Sequence, residues 1–247
     1  MSEESEEGDF IDCPEHGSSA STLVCQHLIA GQGLGFHVGI DPEAPDALWP
    51  DAWCADCEAV LLREGEWTDA AVAQADFRPL CSSCYQRVRR ANWPSNDAEF
   101  GQLVETSVAY LQAQQKQLES RYQLGSCPRY DWYQESAELV FSRGGKPVVV
   151  ADIQFVGSIS TRSRSWLWSW GNQSLLESAK SRIREVRAFG DAHSFLKLAS
   201  AYWEADEVDG WEMTAVSAFL LKAKGAYRSP DERGFTFLVM TDVRWAQ

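Results

Sequence analysis

The first 93 residues contain eight cysteine and histidine residues at spacings typical of zinc ligands. Two C-x-x-C pairs, Cys54/Cys57 and Cys81/Cys84, are separated by 23 residues, close to the spacing of zinc ribbons. Each pair can form a tight knuckle whose two thiolates face one tetrahedral ion, and the intervening loop returns the second pair to it. This spacing predicts a site of four cysteines.

Two further pairs lie upstream and predict a second site. Cys13 and His16 have the same two-residue gap, and Gly17 behind them can take the positive φ that turns the backbone around a metal. Cys25 and His27 lie in a stretch that reads as a short strand, on which residues two apart point to the same face. Two zinc ions with four ligands each would use all eight residues.

The pairing of the ligands is open at this level. It could be sequential, with Cys13, His16, Cys25 and His27 on one ion, or cross-braced, with the first and third pairs sharing an ion. Scattered buried thiols or disulfides are the competing interpretation, and disulfides are disfavoured because no export signal is visible. His37 could replace His27 as a ligand.

Both sites are expected to be structural rather than catalytic. Four protein ligands leave no coordination position for water, and an all-cysteine site activates water poorly. Residues 31–50 are rich in glycine, proline and aspartate and supply few core residues. Metal coordination would replace the missing core.

The net charge of the chain limits the classes of partner that it is expected to bind. It has 36 acidic and 22 basic residues, a net charge of -14, and residues 1–93 alone hold 17 acids and 5 bases, a net of -12. This balance disfavours binding to nucleic acid or to an anionic membrane. The acidic N-terminus does not resemble a secretory signal, and no apolar run is long enough to span a membrane, so we expect a cytoplasmic protein.

The cysteines and the charge divide the chain near residues 92–96. We predict a disordered acidic tail over 1–10, a zinc-binding module over 11–93, and an α+β domain of unknown function over 94–247. The fold class is α+β: a small zinc-ribbon-like N-terminal module, followed by an antiparallel sheet packed with helices.

Periodicity and turn signals predict the elements of the second half. The predicted helices are 97–122, 174–189, 194–203 and 208–224, and the predicted strands are 130–133, 138–142, 147–158, 165–170, 226–228 and 235–245. Ser174 and Glu177 form a capping-box pattern. A Gly-Gly turn at 144–145 predicts a hairpin between the second and third strands.

Three tryptophans, Trp166, Trp168 and Trp170, alternate along one predicted strand and share one of its faces. They could form a face for a ligand or partner, but a core face is favoured because strands pack large aromatics inward. Asp152 interrupts an apolar strand and would need a partner if it faced the core.

No catalytic residue is assigned from the sequence. An acidic run at a helix start is explained by capping and the helix dipole; its members are Glu204, Asp206, Glu207, Asp209 and Glu212. A pairing of Cys127 with His193 stays open, because triad members come together only on folding.

Two resemblances cover most of the chain. The runs CPEHG, TLVCQHL, DAWCADCE and LCSSCY resemble a zinc-binding segment of uncharacterised bacterial proteins. The second half resembles a bacterial domain of unknown function through VGSISTRSRSWLWSWGNQS, DEVDGWEMTAVSAFLLKAKGAYRSP and FTFLVMTDVRWA. The resemblances imply a bacterial source and the eight metal ligands, but no activity.

Two kinds of function follow from these observations. The favoured one is a non-enzymatic, zinc-binding protein that binds another protein, which an acidic surface suits if the partner is basic; an immunity or anti-toxin role is one form of it. The alternative is an enzyme with its site in the C-terminal domain or at the domain junction. The sequence has no P-loop, dinucleotide fingerprint, nucleophile elbow or metalloprotease helix.

Overall fold

The structure is a computed structural model that describes residues 10–231 and 234–246. The acidic tail expected over 1–10 lies almost wholly outside the described residues. The chain divides into two compact units, Met1–Ser95 and Asn96–Gln247. The described residues form eight α-helices and two sheets, which confirms a mixed α+β fold.

The N-terminal unit is a five-stranded sheet with four helices. Its strands are β1 (Phe10–Cys13), β2 (Gly17–Cys25), β3 (His37–Val38), β4 (Ala52–Trp53) and β5 (Phe77–Cys81). Its helices are α1 (Gln26–Ala30), α2 (Ala55–Glu64), α3 (Asp69–Ala75) and α4 (Ser82–Asn92). Strand β2 is the centre of the sheet, because it pairs antiparallel with β1 and β5 and parallel with β4.

The core of this unit is small and contains metal-ligand candidates. Its buried members are Val24, Cys25, Leu28, Phe36, Ala52, Trp53, Cys54, Cys57, Ala75 and Tyr85. Trp67 packs edge-on against both Trp53 and Phe77 at the margin of this cluster. Three of the ten buried residues are cysteines, so a metal held by them would be part of the core itself.

The C-terminal unit is a seven-stranded sheet with four helices. Its strands are β6 (Arg129–Tyr133), β7 (Glu138–Arg143), β8 (Lys146–Ser160), β9 (Ser165–Trp168), β10 (Tyr202–Glu204), β11 (Gly225–Asp231) and β12 (Gly234–Trp245). Its helices are α5 (Asp97–Tyr122), α6 (Ile183–Ala192), α7 (Leu196–Ala199) and α8 (Glu207–Leu220).

Every strand pairing in this second sheet is antiparallel, as predicted. The 15-residue strand β8 organises it. Strand β12 pairs with β8 along most of its length, while β7 pairs with its first part and β9 with its last part. Strand β8 is therefore shared by two antiparallel arrays, β6–β7 and β9–β10.

Helices α5 and α8 pack against each other and hold the end of the sheet. The Tyr110 hydroxyl donates to the carbonyl oxygen of Ala223 at 2.9 Å. The buried Tyr122 hydroxyl donates to that of Val243 at 2.7 Å. These two bonds tie α5 to the residues just before β11 and to the last part of β12.

Two predicted helices differ from the structure. Residues 194–203 contain only the four-residue α7, Leu196–Ala199, and the start of β10. Residues 174–182 contain only a short 3-10 turn, Glu177–Ala179, and α6 begins at Ile183. The backbone N–H and the hydroxyl of Ser174 both donate to Asn172 Oδ1, at 3.0 and 2.7 Å. This local turn uses the groups that would have capped a helix.

Candidate metal centres

The outer cluster consists of Cys13, His16, Cys81 and Cys84. Cys13 ends β1, and His16 is the last residue of the three-residue turn to β2, where Gly17 has φ 75°. Cys81 ends β5 and caps α4, and its sulfur accepts from the backbone N–H of Cys84 at 3.4 Å. The cluster thus joins a hairpin turn to the start of a helix.

Its geometry centres on one imidazole nitrogen. His16 Nδ1 lies 3.4 Å from the sulfur of Cys13, 3.5 Å from that of Cys81 and 3.6 Å from that of Cys84. One ring nitrogen has a single proton or lone pair, so it cannot bond three thiols at once. A tetrahedral zinc ion with ordinary bond lengths separates its nitrogen and sulfur ligands by about 3.6 Å.

The inner cluster consists of Cys25, His27, Cys54 and Cys57. His27 Nδ1 lies 3.3 Å from Cys57 Sγ. In each cluster the ligand atoms all lie within 4.8 Å of one another. Cys25 and Cys54 are the N-cap residues of α1 and α2, and neither sulfur accepts a capping hydrogen bond from its helix.

The pairing is neither sequential nor cross-braced, and no site has four cysteines: each joins three cysteines to one histidine. Strand β2 is the reason, because its nine residues separate His16 from Cys25 by about 30 Å. Antiparallel pairing places Cys81 opposite Ser21, towards the β1–β2 turn. Parallel pairing of Val24 with Ala52 brings Cys54 beside the other end of β2.

Cys25 and His27 do not lie on one strand as predicted. Strand β2 ends at Cys25 and α1 begins at Gln26, so the helical turn brings the two side chains together. Asn92, at the end of α4, is fully buried and fixes this turn. Its amide donates to the carbonyl oxygens of Leu28 and Val88, both at 3.0 Å.

Hydrogen bonds and burial shift the pKa values of several of these thiols. A hydrogen bond from the backbone N–H of Glu15, and then one with His16, lower the pKa of Cys13 to about 6. Burial, followed by hydrogen bonding with Cys81, raises the pKa of Cys84 to about 12. Burial also raises the pKa of Cys57. Thiolates packed this closely oppose one another's ionisation, and a bound cation would reverse that effect.

The donor sets suit zinc. Sulfur-rich tetrahedral sites with imidazole select zinc over the harder divalent cations. All seven cysteines of the chain are free thiols, so no disulfide competes for these sulfurs. Four protein donors surround each position, so the arrangement has the form of a closed structural site. Among the described residues no third group of this kind is found.

The other residues singled out from the sequence are not members of the two clusters. His37 lies in β3, with its Nδ1 3.9 Å from Glu58, and is not a member of either cluster. Trp166, Trp168 and Trp170 are 0 %, 0 % and 2 % exposed and therefore do not face solvent. Arg244 pairs with Asp152 at 2.5 Å.

The acidic run and the Cys127/His193 pair are also accounted for. Asp206 is the N-cap of α8 and forms a capping box with Asp209. Cys127 is buried in the core of the C-terminal unit. His193 is exposed and stacks on Phe195, so it lies in different surroundings from that thiol.

Two residues at the outer cluster were not found by sequence reasoning. Arg87 Nη2 donates to Cys84 Sγ at 3.4 Å, and its Nη1 donates to Glu15 Oε2 at 3.2 Å. Their only sequence signal is position, since each lies within three residues of a ligand. A single charged residue near a cysteine is too common to be singled out without the structure.

No helix within the described residues has the length and apolar character needed to cross a membrane. In comparisons with known proteins, residues 101–243 match a family described as Family of unknown function (DUF6882). No curated protein and no solved structure matches the chain. The family match extends from α5 into β12 and covers more than half of the 247 residues. The chain therefore belongs to the family of unknown function DUF6882.

Proposed function

We propose that this protein binds two zinc ions in closed, structural sites and acts without catalysis, by binding another protein. The observation that carries the metal part is the position of His16 Nδ1, which three cysteine sulfurs approach at 3.4 to 3.6 Å. A shared tetrahedral ion explains that arrangement, and pairwise hydrogen bonds do not.

The sites are structural because their donors are complete. Three thiolates and one imidazole fill the tetrahedron of zinc and leave no position for a reacting water. The cysteines of the inner cluster are three of the ten buried residues of their core. Zinc binding would therefore supply folding free energy to the N-terminal unit, as it does in small zinc domains.

The charge supports a basic protein partner. Residues 1–93 have a net charge of -12, and three thiolates around a divalent ion add a further negative charge at each site. Such a surface steers a basic protein and repels nucleic acid and anionic lipid. An immunity or anti-toxin role in the bacterial cytoplasm, where thiols stay reduced, is one form of this proposal.

Cobalt titration tests the metal sites. The metal-free protein is titrated with Co²⁺, which absorbs visible light strongly when thiolates bind it in a tetrahedral site. We expect two equivalents per chain, the same number of zinc ions by elemental analysis, and no spectral change on adding azide. One equivalent or less, or a spectrum that azide alters, would contradict two closed sites.

The partner proposal is tested with a basic probe protein. Cytochrome c should bind the zinc-loaded chain in low salt by calorimetry and dissociate as salt screens the charges. A similarly sized acidic protein serves as the control. Equal binding of both probes, or no binding of cytochrome c in low salt, would count against an acidic docking surface.

A further inference from the structure

The two clusters differ in their access to solvent. In the inner cluster Cys25, Cys54 and Cys57 are 0 %, 2 % and 2 % exposed, and His27 alone is partly exposed. In the outer cluster Cys81 is buried, but Cys13 and Cys84 are partly exposed and the side chain of His16 is 32 % exposed. A competing ligand can therefore reach the outer cluster without unfolding of the unit.

The outer cluster also depends on a short piece of chain. Cys13 and His16 flank a single turn, and the strand that leads into it, β1, has four residues and lies at the edge of its sheet. The other two ligands come from α4 and the end of β5. Movement of the β1–β2 turn away from α4 would remove two of the four ligands together.

One ion pair joins the β1–β2 turn to α4. The Arg87 guanidinium on α4 donates to Glu15 Oε2 in the turn and to Cys84 Sγ beside it. The same Glu15 oxygen lies 4.0 Å from His16 Nε2, on the side of the ring away from the sulfurs. At this distance the carboxylate makes no hydrogen bond to the ring and acts on it only through its charge, whereas the donor to the ligating sulfur stabilises the charge of that sulfur.

The charge balance favours this arrangement. Three thiolates and one divalent cation leave the outer cluster with one negative charge, and the guanidinium of Arg87 opposes it at hydrogen-bond distance from Cys84. A guanidinium can donate to the carboxylate and to the sulfur at once because its donors form a planar fork. Lysine could replace the charge but not both contacts.

We propose that the outer cluster is the exchangeable metal site of this protein and that the Arg87–Glu15 pair is a positioning pair that controls its rate of metal exchange. This inference rests on the proposed function, because it requires both clusters to bind zinc. The inner cluster then holds its ion for the lifetime of the folded unit, while the outer cluster equilibrates with metal in solution.

The test measures transfer of zinc from the full-length, zinc-loaded chain to a chromophoric chelator. We expect two phases of one equivalent each. N-ethylmaleimide added during the fast phase should label Cys13, Cys81 and Cys84 and spare the inner cysteines. Arg87→Gln and Glu15→Gln should each accelerate the fast phase by about tenfold and leave the slow phase unchanged. Arg87→Lys should give an intermediate rate.

The matched control is Arg63→Gln, since Arg63 pairs with Glu64 on the surface of α2 and contacts no ligand. It should leave both phases as in the wild type. A purely structural effect of Arg87 would change both phases together. Release in a single phase, early labelling of Cys25, Cys54 or Cys57, or an unchanged fast phase in Arg87→Gln would overturn the inference while leaving two zinc sites in place. A chain that retains no zinc would overturn the proposed function as well.

Discussion

Gly157 is a position in β8 where the C-terminal sheet has no room for a side chain. A Cβ there would overlap the ring of Trp166, which is fully buried, and would lie 2.7 Å from the carbonyl oxygen of Leu167. We predict that Gly157→Ala lowers the free energy of unfolding of this unit by about 1 to 3 kcal/mol, because neither neighbour can move away.

Gly101→Ala is the matched control for that substitution. Gly101 lies in α5, where an added Cβ would meet nothing within 4 Å, and alanine should stabilise the helix by about 0.5 to 1 kcal/mol. Urea unfolding, followed by hydrogen exchange of peptides from β8 and β12, measures both variants. Similar midpoints for the two would show that the glycine at 157 is not required by packing.

At the residue scale, ligand identity was easier to predict than ligand pairing. The type and spacing of the eight residues are local properties, and all eight lie in the two clusters. Which pairs meet depends on the length of β2 and on its partners, and the serines at its start read as loop rather than strand. No spacing between cysteines carries that information.

At the scale of the element, the start of α8 is fixed by a reciprocal pair of aspartates. Asp206 Oδ1 accepts from the N–H groups of Val208 and Asp209, at 2.8 and 3.2 Å, and Asp209 Oδ2 accepts from that of Asp206 at 3.0 Å. We predict that Asp206→Ala costs about 0.5 to 2 kcal/mol. Hydrogen exchange of α8 peptides during urea unfolding measures the loss.

Ser174→Ala is the informative comparison for Asp206→Ala. Its sequence context has the same capping pattern, yet Ser174 bonds to Asn172 and caps no helix. Its loss should stay within about 0.5 kcal/mol, as for most surface substitutions. If Ser174→Ala lowered the free energy of unfolding as much as Asp206→Ala, the capping pattern would matter here whether or not a helix begins at it.

Long elements are predicted well from the sequence because each carries a strong local pattern. Helix α5 has the predicted bounds because 26 residues average out local ambiguity, and the Gly144–Gly145 turn follows from turn chemistry. The final hairpin is present, but its first strand continues to Asp231 through residues predicted as turn. Over 174–204 the predicted helices have the wrong bounds, and β10 is missed, because the short elements of this region are set by tertiary contacts. The Trp168 indole, for example, donates to the carbonyl oxygen of Lys197 at 2.8 Å.

At the scale of the whole molecule, the two units are stabilised in different ways. Asn96–Gln247 has an extensive sheet core, including the buried Leu139, Ile153 and Phe155. Met1–Ser95 has a smaller core in which cysteines stand among the apolar side chains. If metal holds that core together, the free energy of zinc binding, about 10 to 16 kcal/mol in small zinc domains, exceeds what so few apolar contacts supply.

We therefore predict that removing the metal unfolds the N-terminal unit and leaves the C-terminal unit folded. Exhaustive chelation of the full-length chain should expose Glu58 and Glu64 of α2 to a glutamate-specific protease, while peptides of β8 and β12 keep their protection from hydrogen exchange. Adding zinc back should restore resistance at both sites, because ligand binding shifts the equilibrium towards the folded state. A metal-free chain, verified by elemental analysis, that still resisted cleavage in α2 would show that the apolar core alone folds this unit.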